Sequence, residues 1–238
     1  MSKSTYRAAL LAGLVACLAA CAPSGQPAAS GTTPPTTSAL PWACLSGAVP
    51  LAIPTVPTMR AAQVGTGART VILSNQSDED ACAWRDFASE LAGLGYRAVL
   101  YDYTNEEPGQ DLTAVVQAIT TSGATSIALV GASEGAKTSI IIAADSPSVD
   151  ALVSLSAESL LRGAPVAPYA ARLHTPTLFV TADHDAYGAT QATQRFYDSA
   201  PAKEKKLLIR PGTAHGAALL ADADVHQAIL DFLASHED

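Results

Sequence analysis

A serine between two glycines is the residue of this sequence best placed to do chemistry. The pentapeptide Gly131-Ala132-Ser133-Glu134-Gly135 follows the apolar run 126–130 and precedes a helix-compatible stretch, 136–144. Small flanking glycines allow the strained backbone of a sharp strand-to-helix turn, which exposes the serine hydroxyl above the helix N-terminus. The G-x-S-x-G pattern alone is common, so its placement at such a turn is what predicts that Ser133 is a nucleophile.

A serine hydroxyl is a poor nucleophile until a base takes its proton, and that base must be oriented by a third group. Both kinds of residue appear downstream. His215 lies beyond the apolar run 207–209, and Asp183 and Asp185 follow the apolar run 176–180. The order serine, acid, histidine therefore predicts a catalytic triad that includes one of these two aspartates.

The other acidic and histidine clusters are weaker signals. His184 stands between two aspartates, but no second clustered histidine supports a metal site there. The run Asp78-Glu79-Asp80 is most simply a solvated acidic loop, with calcium binding as the alternative. We therefore predict no metal and no cofactor.

The elements that position these residues alternate between short β-branched runs and helical patterns, which is typical of parallel strands joined by crossover helices. The pattern predicts an α/β fold, a three-layer sandwich with a mostly parallel central sheet and helices on both faces. The short interval between the strands ending at 155 and beginning at 177 leaves no room for a large cap domain. Strands, all expected to be buried, are predicted within 60–64 and at 70–74, 98–101, 126–130, 151–155, 177–180 and 206–209. Amphipathic helices are predicted at 84–94, 112–119 and 225–233.

The three motifs in this order resemble the α/β-hydrolase superfamily, in particular its small single-domain esterases of the dienelactone-hydrolase type, over roughly residues 60–238. The resemblance implies Ser133 as nucleophile, His215 as general acid and base, and Asp185 as the acid that fixes the imidazole tautomer. Asp183 is the alternative acid, because a two-residue difference in where the strand ends would exchange the two. True dienelactone hydrolases use a cysteine nucleophile, whereas this chain has serine.

Acyl chemistry also needs hydrogen-bond donors aimed at the developing oxyanion. The family pattern supplies one from the backbone N–H of the residue after the nucleophile, here Glu134, and one from the loop after the second predicted strand. Relatives often have His-Gly in that loop, whereas this chain has Asn75-Gln76-Ser77. The resemblance leaves Gln76 and Ser77 as alternative second donors. The run Asp102-Tyr103-Thr104-Asn105 likewise replaces a glycine-rich turn of many relatives.

The beginning of the chain predicts export. Residues 1–20 have the pattern of a lipoprotein signal peptide, because Lys3 and Arg7 precede an apolar run too short to span a bilayer. The run ends in Leu18-Ala19-Ala20-Cys21, which resembles the lipobox of bacterial lipoproteins, in which the cysteine is lipidated and becomes the first residue. An ordinary cleaved signal peptide, with an incidental cysteine, is the alternative.

The segment that follows predicts a tether. Residues 22–41 are almost wholly Ala, Pro, Ser, Gly, Thr and Gln, a composition that buries too little apolar surface to offset its ordering entropy. Residues 21–41 would thus be a lipidated cysteine and a disordered tether, followed by a hydrolase domain over 42–238. The protein would be lipid-anchored through Cys21 to the outer face of a bacterial membrane.

The cysteines predict one disulfide bond. An exported compartment permits such bonds. If Cys17 leaves with the signal peptide and Cys21 carries lipid, Cys44 and Cys82 remain to pair, with two unpaired buried thiols as the alternative.

Length, composition and charge limit the classes of function that the chain can have. The chain of 238 residues is 48% hydrophobic, enough for one globular core, and its formal charge of -8 makes nucleic acid a poor partner. We expect a monomer that hydrolyses a small-molecule ester or related acyl compound through an acyl-enzyme on Ser133. A non-catalytic lipoprotein that uses the fold as a binding module is the alternative.

Overall fold

The computed structural model describes residues 42–45, 47–104 and 107–236. The predicted signal peptide over 1–20, the predicted lipidation site Cys21 and the predicted tether over 22–41 lie outside these ranges. No helix within the described ranges is long and apolar enough to cross a membrane.

An eight-stranded sheet and a separate two-stranded hairpin contain the strands of the described domain. The strands are β1 Val49–Pro50, β2 Ala61–Val64, β3 Arg69–Ser74, β4 Arg97–Tyr101, β5 Ser126–Ala132, β6 Ala151–Leu155, β7 Leu160–Leu161, β8 Ala164–Pro165, β9 Thr177–Ala182 and β10 Lys205–Arg210. The sheet has the spatial order β1-β2-β4-β3-β5-β6-β9-β10, and β7–β8 is the hairpin. β2 pairs antiparallel with β1 and with β4, and the other neighbouring strands of the sheet are parallel.

Helices cover both faces of the sheet. They are α1 Arg85–Gly93, α2 Pro108–Thr121, α3 Glu134–Asp145, α4 Ala167–Ala170, α5 Ala189–Ser199 and α6 Ala223–Ala234, with 3₁₀ helices at Ala81–Trp84 and Gly216–Ala221. Alternate strand residues point to opposite faces, so Val71 and Leu73 belong to one hydrophobic core with residues of α1 and α6, while Ile72 belongs to another with residues of α2, α3 and α5. One core lies on each face.

The predicted three-layer α/β sandwich is confirmed, and all seven predicted strands are present with ends that differ by no more than two residues. One expectation about them was wrong. The strand at 206–209 was predicted to be buried, but β10 is partly exposed because it is the last strand of the sheet and pairs only with β9. The helix α5 was not predicted, although Ala189, Ala192 and Phe196 are buried at helical spacing.

No large cap covers the sheet within the described residues, since β7–β8 and the four-residue α4 are the elements between β6 and β9. Two contacts hold the start of the described domain against the rest of it. Cys44 and Cys82 form a disulfide bond, as predicted, with Cα atoms 5.9 Å apart. The buried Trp42 donates its indole N–H to Asp102 at 3.1 Å.

Candidate active site

Ser133 lies at the turn between β5 and α3, with its backbone in the left-handed region at φ 48° and ψ -108°. Residues with side chains rarely adopt this φ, and the strain directs the hydroxyl out of the sheet. A Cβ atom on Gly131 would overlap the Gly135 carbonyl, and one on Gly135 would overlap the Ser74 carbonyl. The glycines therefore permit close approach of backbones, and Ser133 itself carries the unusual φ.

His215 follows β10, and Asp185 follows β9. The imidazole Nδ1 lies 2.7 Å from Oδ2 of Asp185, whose side chain is fully buried. The other carboxylate oxygen accepts the Tyr187 N–H at 2.9 Å, and the Tyr187 ring packs against the imidazole with centroids 4.4 Å apart. A carboxylate on Nδ1 holds the ring proton there, which makes Nε2 the proton acceptor of this histidine.

Asp183, the alternative acid, lies away from the imidazole of His215. Its Oδ1 contacts Nδ1 of His184 at 2.6 Å and accepts the Gly212 N–H at 2.9 Å. The hydrogen bond from Gly212, followed by the one from His184, lowers the pKa of this partly exposed carboxyl. Of the two candidate acids, the structure brings Asp185 to the histidine.

A further acid, Glu158, contacts the nucleophile, and the sequence did not predict it. The Ser133 hydroxyl donates to Oε1 of Glu158 at 3.1 Å rather than to His215. The same oxygen lies 3.8 Å from Nε2 of His215. The only sequence signal for Glu158 is its place just past β6, because ligands of open α/β sheets bind at the carboxyl ends of the strands.

Two ion pairs join the segment after β6 to the first turn of α3. Nζ of Lys137 lies 2.9 Å from Oε2 of Glu158, and both side chains are mostly buried. Arg162, in the turn of the β7–β8 hairpin, donates its Nε–H to Glu134 at 3.0 Å. The hairpin segment is therefore held against the residues that flank the nucleophile.

The loop after β3 is anchored by its first residue, Asn75, which is buried. Its Nδ2 donates to the Tyr101 carbonyl at 3.0 Å, and the Tyr103 hydroxyl donates to the Asn75 carbonyl at 3.1 Å. Burial raises the pKa of Tyr103 well above its usual value, so this hydroxyl stays protonated and remains a donor. Because the C=O and the next N–H of a trans peptide point in opposite directions, Tyr103 also fixes the direction of the Gln76 N–H.

The three predicted oxyanion donors have different surroundings. The Gln76 side chain joins its loop to the segment after β10, since Oε1 accepts the Ala217 N–H at 3.2 Å and Nε2 donates to Asp78 at 3.0 Å. Ser77 is exposed. Glu134 is the first residue of α3, where N–H groups of the first turn have no acceptor within the helix.

A scan against models of protein families finds no match, and a search of curated proteins finds none either. Solved structures do match. A monoacylglycerol lipase from Paleococcus ferrophilus has a TM-score of 0.65 at 16% identity, with 75% of this chain and 99% of the lipase covered. An esterase from Pyrococcus furiosus has a TM-score of 0.65 at 15% identity, with 76% and 88% covered. The enol-lactonase from Burkholderia xenovorans has a TM-score of 0.63 at 13% identity, with 82% and 100% covered.

These likenesses span almost the whole of each solved structure and most of this chain. Together with the sheet order and the turn at Ser133, they show that the chain has the α/β-hydrolase fold. At such low identity they establish the fold alone, and the chemistry has to be argued from the residues of the site.

Proposed function

We propose that this protein is a serine hydrolase that cleaves a carboxylic ester or related acyl bond through an acyl-enzyme on Ser133. One observation carries the proposal. The buried Asp185 carboxylate lies 2.7 Å from Nδ1 of His215, and Oε1 of Glu158 lies 3.8 Å from Nε2 of this histidine and 3.1 Å from the hydroxyl of Ser133 at the strained turn after β5. A histidine held in this way is a general base for the hydroxyl.

In the first half of the reaction, the Ser133 hydroxyl turns from Glu158 to Nε2 of His215 and attacks the carbonyl carbon as its proton passes to the imidazole. Asp185 stabilises the imidazolium. The negative charge on the carbonyl oxygen is stabilised by backbone N–H groups, for which we propose Glu134 and Gln76. Collapse of this intermediate breaks the bond to the leaving alcohol, which takes the proton from the imidazolium.

In the second half, water replaces the alcohol. His215 takes a proton from water as its oxygen attacks the acyl-enzyme, and returns that proton to Ser133 when the acid leaves. We propose small, diffusible esters as substrates, because the hairpin β7–β8 and the short α4 offer little cover for a long acyl chain. The similar structures support hydrolysis of an ester bond, since they are a monoacylglycerol lipase, an esterase and an enol-lactonase.

A fluorophosphonate probe tests the proposal directly, because it reacts with serines that a histidine activates. We expect labelling of the full-length protein and none of Ser133→Ala, whose ester hydrolysis should fall by about 10⁴-fold or more. Ser89→Ala, which changes an exposed serine on α1, is the matched control and should label like wild type. Well-folded wild-type protein that neither labels nor hydrolyses short esters would contradict the proposal.

The second candidate function is a binding module without catalysis. One observation favours it, namely that the Ser133 hydroxyl bonds to Glu158 instead of His215. The same probe experiment decides between the two functions, because a serine held permanently by a carboxylate does not react.

For the cellular setting we propose export, lipidation of Cys21 and a monomeric domain held near the membrane. The sequence pattern at 18–21 supports the lipid anchor. Radiolabelled palmitate should enter the wild-type protein in bacterial cells and be absent from Cys21→Ser. Labelling that persists in Cys21→Ser would contradict this anchor.

A further inference from the structure

Glu158 lies beside the proposed nucleophile, where it can contact the substrate of the proposed reaction. It is not part of the serine, histidine and acid arrangement, yet its Oε1 receives the hydroxyl of Ser133 at 3.1 Å and lies 3.8 Å from Nε2 of His215. An acyl group on Oγ of Ser133 is therefore formed next to this carboxylate.

The two oxygens of the Glu158 carboxylate have different partners. Oε2 is buried and lies 2.9 Å from Nζ of Lys137, in an ion pair. Oε1 accepts the hydroxyl of Ser133. The hydroxyl of Ser133 is thus the donor that Oε1 loses when the serine turns to His215 and attacks.

Oε1 belongs to a side chain that is 19% exposed, so the loss of its donor raises the free energy of the reacting complex unless another donor replaces it. The substrate can supply one. In the acyl-enzyme, Oγ of Ser133 is bonded to the carbonyl carbon, and a substituent on the neighbouring α carbon lies three bonds from Oγ. Such a group is within hydrogen-bond reach of an acceptor 3.1 Å from Oγ.

The charge of the pair favours a neutral donor. Lys137 already compensates the negative charge of Glu158, so a substrate ammonium would meet the lysine as well as the carboxylate. A hydroxyl needs only the acceptor. We propose that Glu158 is a specificity-determining residue that selects esters with a hydroxyl on the α carbon of the acyl group. This assignment rests on the proposed serine hydrolase function.

The test uses the two enantiomers of benzyl 2-hydroxypropanoate, with benzyl propanoate as the substrate that lacks the donor. The enantiomers have the same intrinsic reactivity and hydrophobicity, but only one can direct its hydroxyl to Oε1. We expect wild-type kcat/KM to favour one enantiomer by about tenfold or more, because a site built for a donor rejects the substrate that cannot present it. Benzyl propanoate should resemble the disfavoured enantiomer.

Glu158→Ala should lower this enantiomer preference to near unity, and Glu158→Gln, which keeps an acceptor oxygen of similar reach, should retain part of it. The same preference in Glu158→Ala as in wild type, or a parallel loss of activity on all three esters, would overturn the assignment. If Glu158→Ala fails to fold, Glu158→Gln carries the comparison, and an undiminished preference in it together with equal turnover of benzyl propanoate would overturn the assignment as well.

Benzyl 2-aminopropanoate distinguishes the kind of donor. Its ammonium should gain less from Glu158 than the hydroxyl does, and a larger gain would overturn the choice of a neutral donor. Failure of the proposed function has a different signature. In that case no ester is hydrolysed and the fluorophosphonate probe does not label Ser133, whereas failure of this inference alone leaves labelling and hydrolysis intact.

Discussion

Asp183 and Asp185 are two residues apart, yet the end of β9 sends their carboxylates to different places. Asp185 turns inward to His215 and is fully buried, while Asp183 accepts the Gly212 N–H at the protein surface. A sequence shows that both acids follow a strand. It does not show at which residue the chain leaves the sheet, and that one detail decides which carboxylate reaches the imidazole.

Asparagine substitutions at these two positions form a matched pair. Asp185→Asn should lower kcat by about 10³–10⁴-fold, because an amide on Nδ1 no longer fixes the tautomer or stabilises the imidazolium. Asp183→Asn should lower kcat by no more than several-fold, since this side chain contacts a neighbouring loop and not the imidazole. Steady-state kinetics on a short ester measures both variants, and a larger loss in Asp183→Asn would contradict the assignment.

Glu158 shows a different limit of sequence reasoning at the residue scale. The serine, aspartate and histidine each follow a strand in an order that indicates a known chemistry. A lone glutamate in Ser156-Ala157-Glu158 has no such spacing. It reaches Ser133 from the segment after β6, in which Ser156 has a φ of 56°. A single residue with positive φ leaves no periodic pattern in the sequence.

Among the elements, the loop after β3 departs most from the pattern of the superfamily, and the turn after β4 departs as well. The structure shows that the two departures fit each other. Asn75 in the first contacts the backbone of Tyr101, and Tyr103 in the second holds the Asn75 carbonyl. Each run can be noticed in the sequence, but their pairing depends on β3 and β4 being neighbours in the sheet.

Tyr103 is therefore a positioning residue for the proposed oxyanion donor on Gln76. Tyr103→Phe removes the hydrogen bond to the Asn75 carbonyl and frees the peptide that carries the Gln76 N–H. We expect kcat to fall by about tenfold with little change in KM, since removing an oxyanion donor altogether costs about 10²–10³-fold. The measurement is a full kinetic comparison with wild type on one ester.

Tyr101→Phe is the control for Tyr103→Phe. Its hydroxyl bonds to the Ser74 side chain at 3.0 Å and also interacts with the Tyr103 hydroxyl, but it makes no hydrogen bond to the Asn75 carbonyl. Both variants lose a hydroxyl that has hydrogen-bond partners, so thermal unfolding should show a loss of stability in each. Only Tyr103→Phe should lose kcat. Equal losses of kcat in the two variants would show that Tyr103 acts through stability and not through the loop.

At the scale of the whole molecule, the fold could be predicted further than the site. Buried parallel strands have strong apolar runs, and helices with one apolar face cover them, so the three layers follow from periodicity. The sequence pattern is weaker at the two edge strands of the sheet, β1 and β10. β1 has two residues, and β10 has exposed positions because no second strand pairs with its outer edge within the described ranges.

The segment before β1 is joined to the 3₁₀ helix Ala81–Trp84 by a covalent bond, and it also packs against the domain. Cys44 and Cys82 are 38 positions apart, and closing such a loop in the unfolded chain is worth roughly 4 kcal/mol in the chain-entropy model, as an upper value. Trp42 in the same segment bonds to Asp102, whose carboxylate also receives the Asn75 side chain at 3.4 Å. The segment thus stabilises the domain and is linked through Asp102 to the loop of the proposed oxyanion donor.

Reduction of this disulfide tests both consequences in the full-length protein. The reductant should shift the urea midpoint of wild type to lower concentration and lower the free energy of unfolding by as much as about 4 kcal/mol. The Cys44→Ser/Cys82→Ser variant, which keeps the other cysteines, should unfold at the same midpoint with and without reductant. Ester turnover well below the unfolding transition should fall less on reduction than in Tyr103→Phe, because the sheet and Tyr103 still hold Asn75. An unchanged midpoint in reduced wild type, verified as reduced by a two-dalton gain in intact mass, would show that packing of Trp42 alone secures this end of the domain.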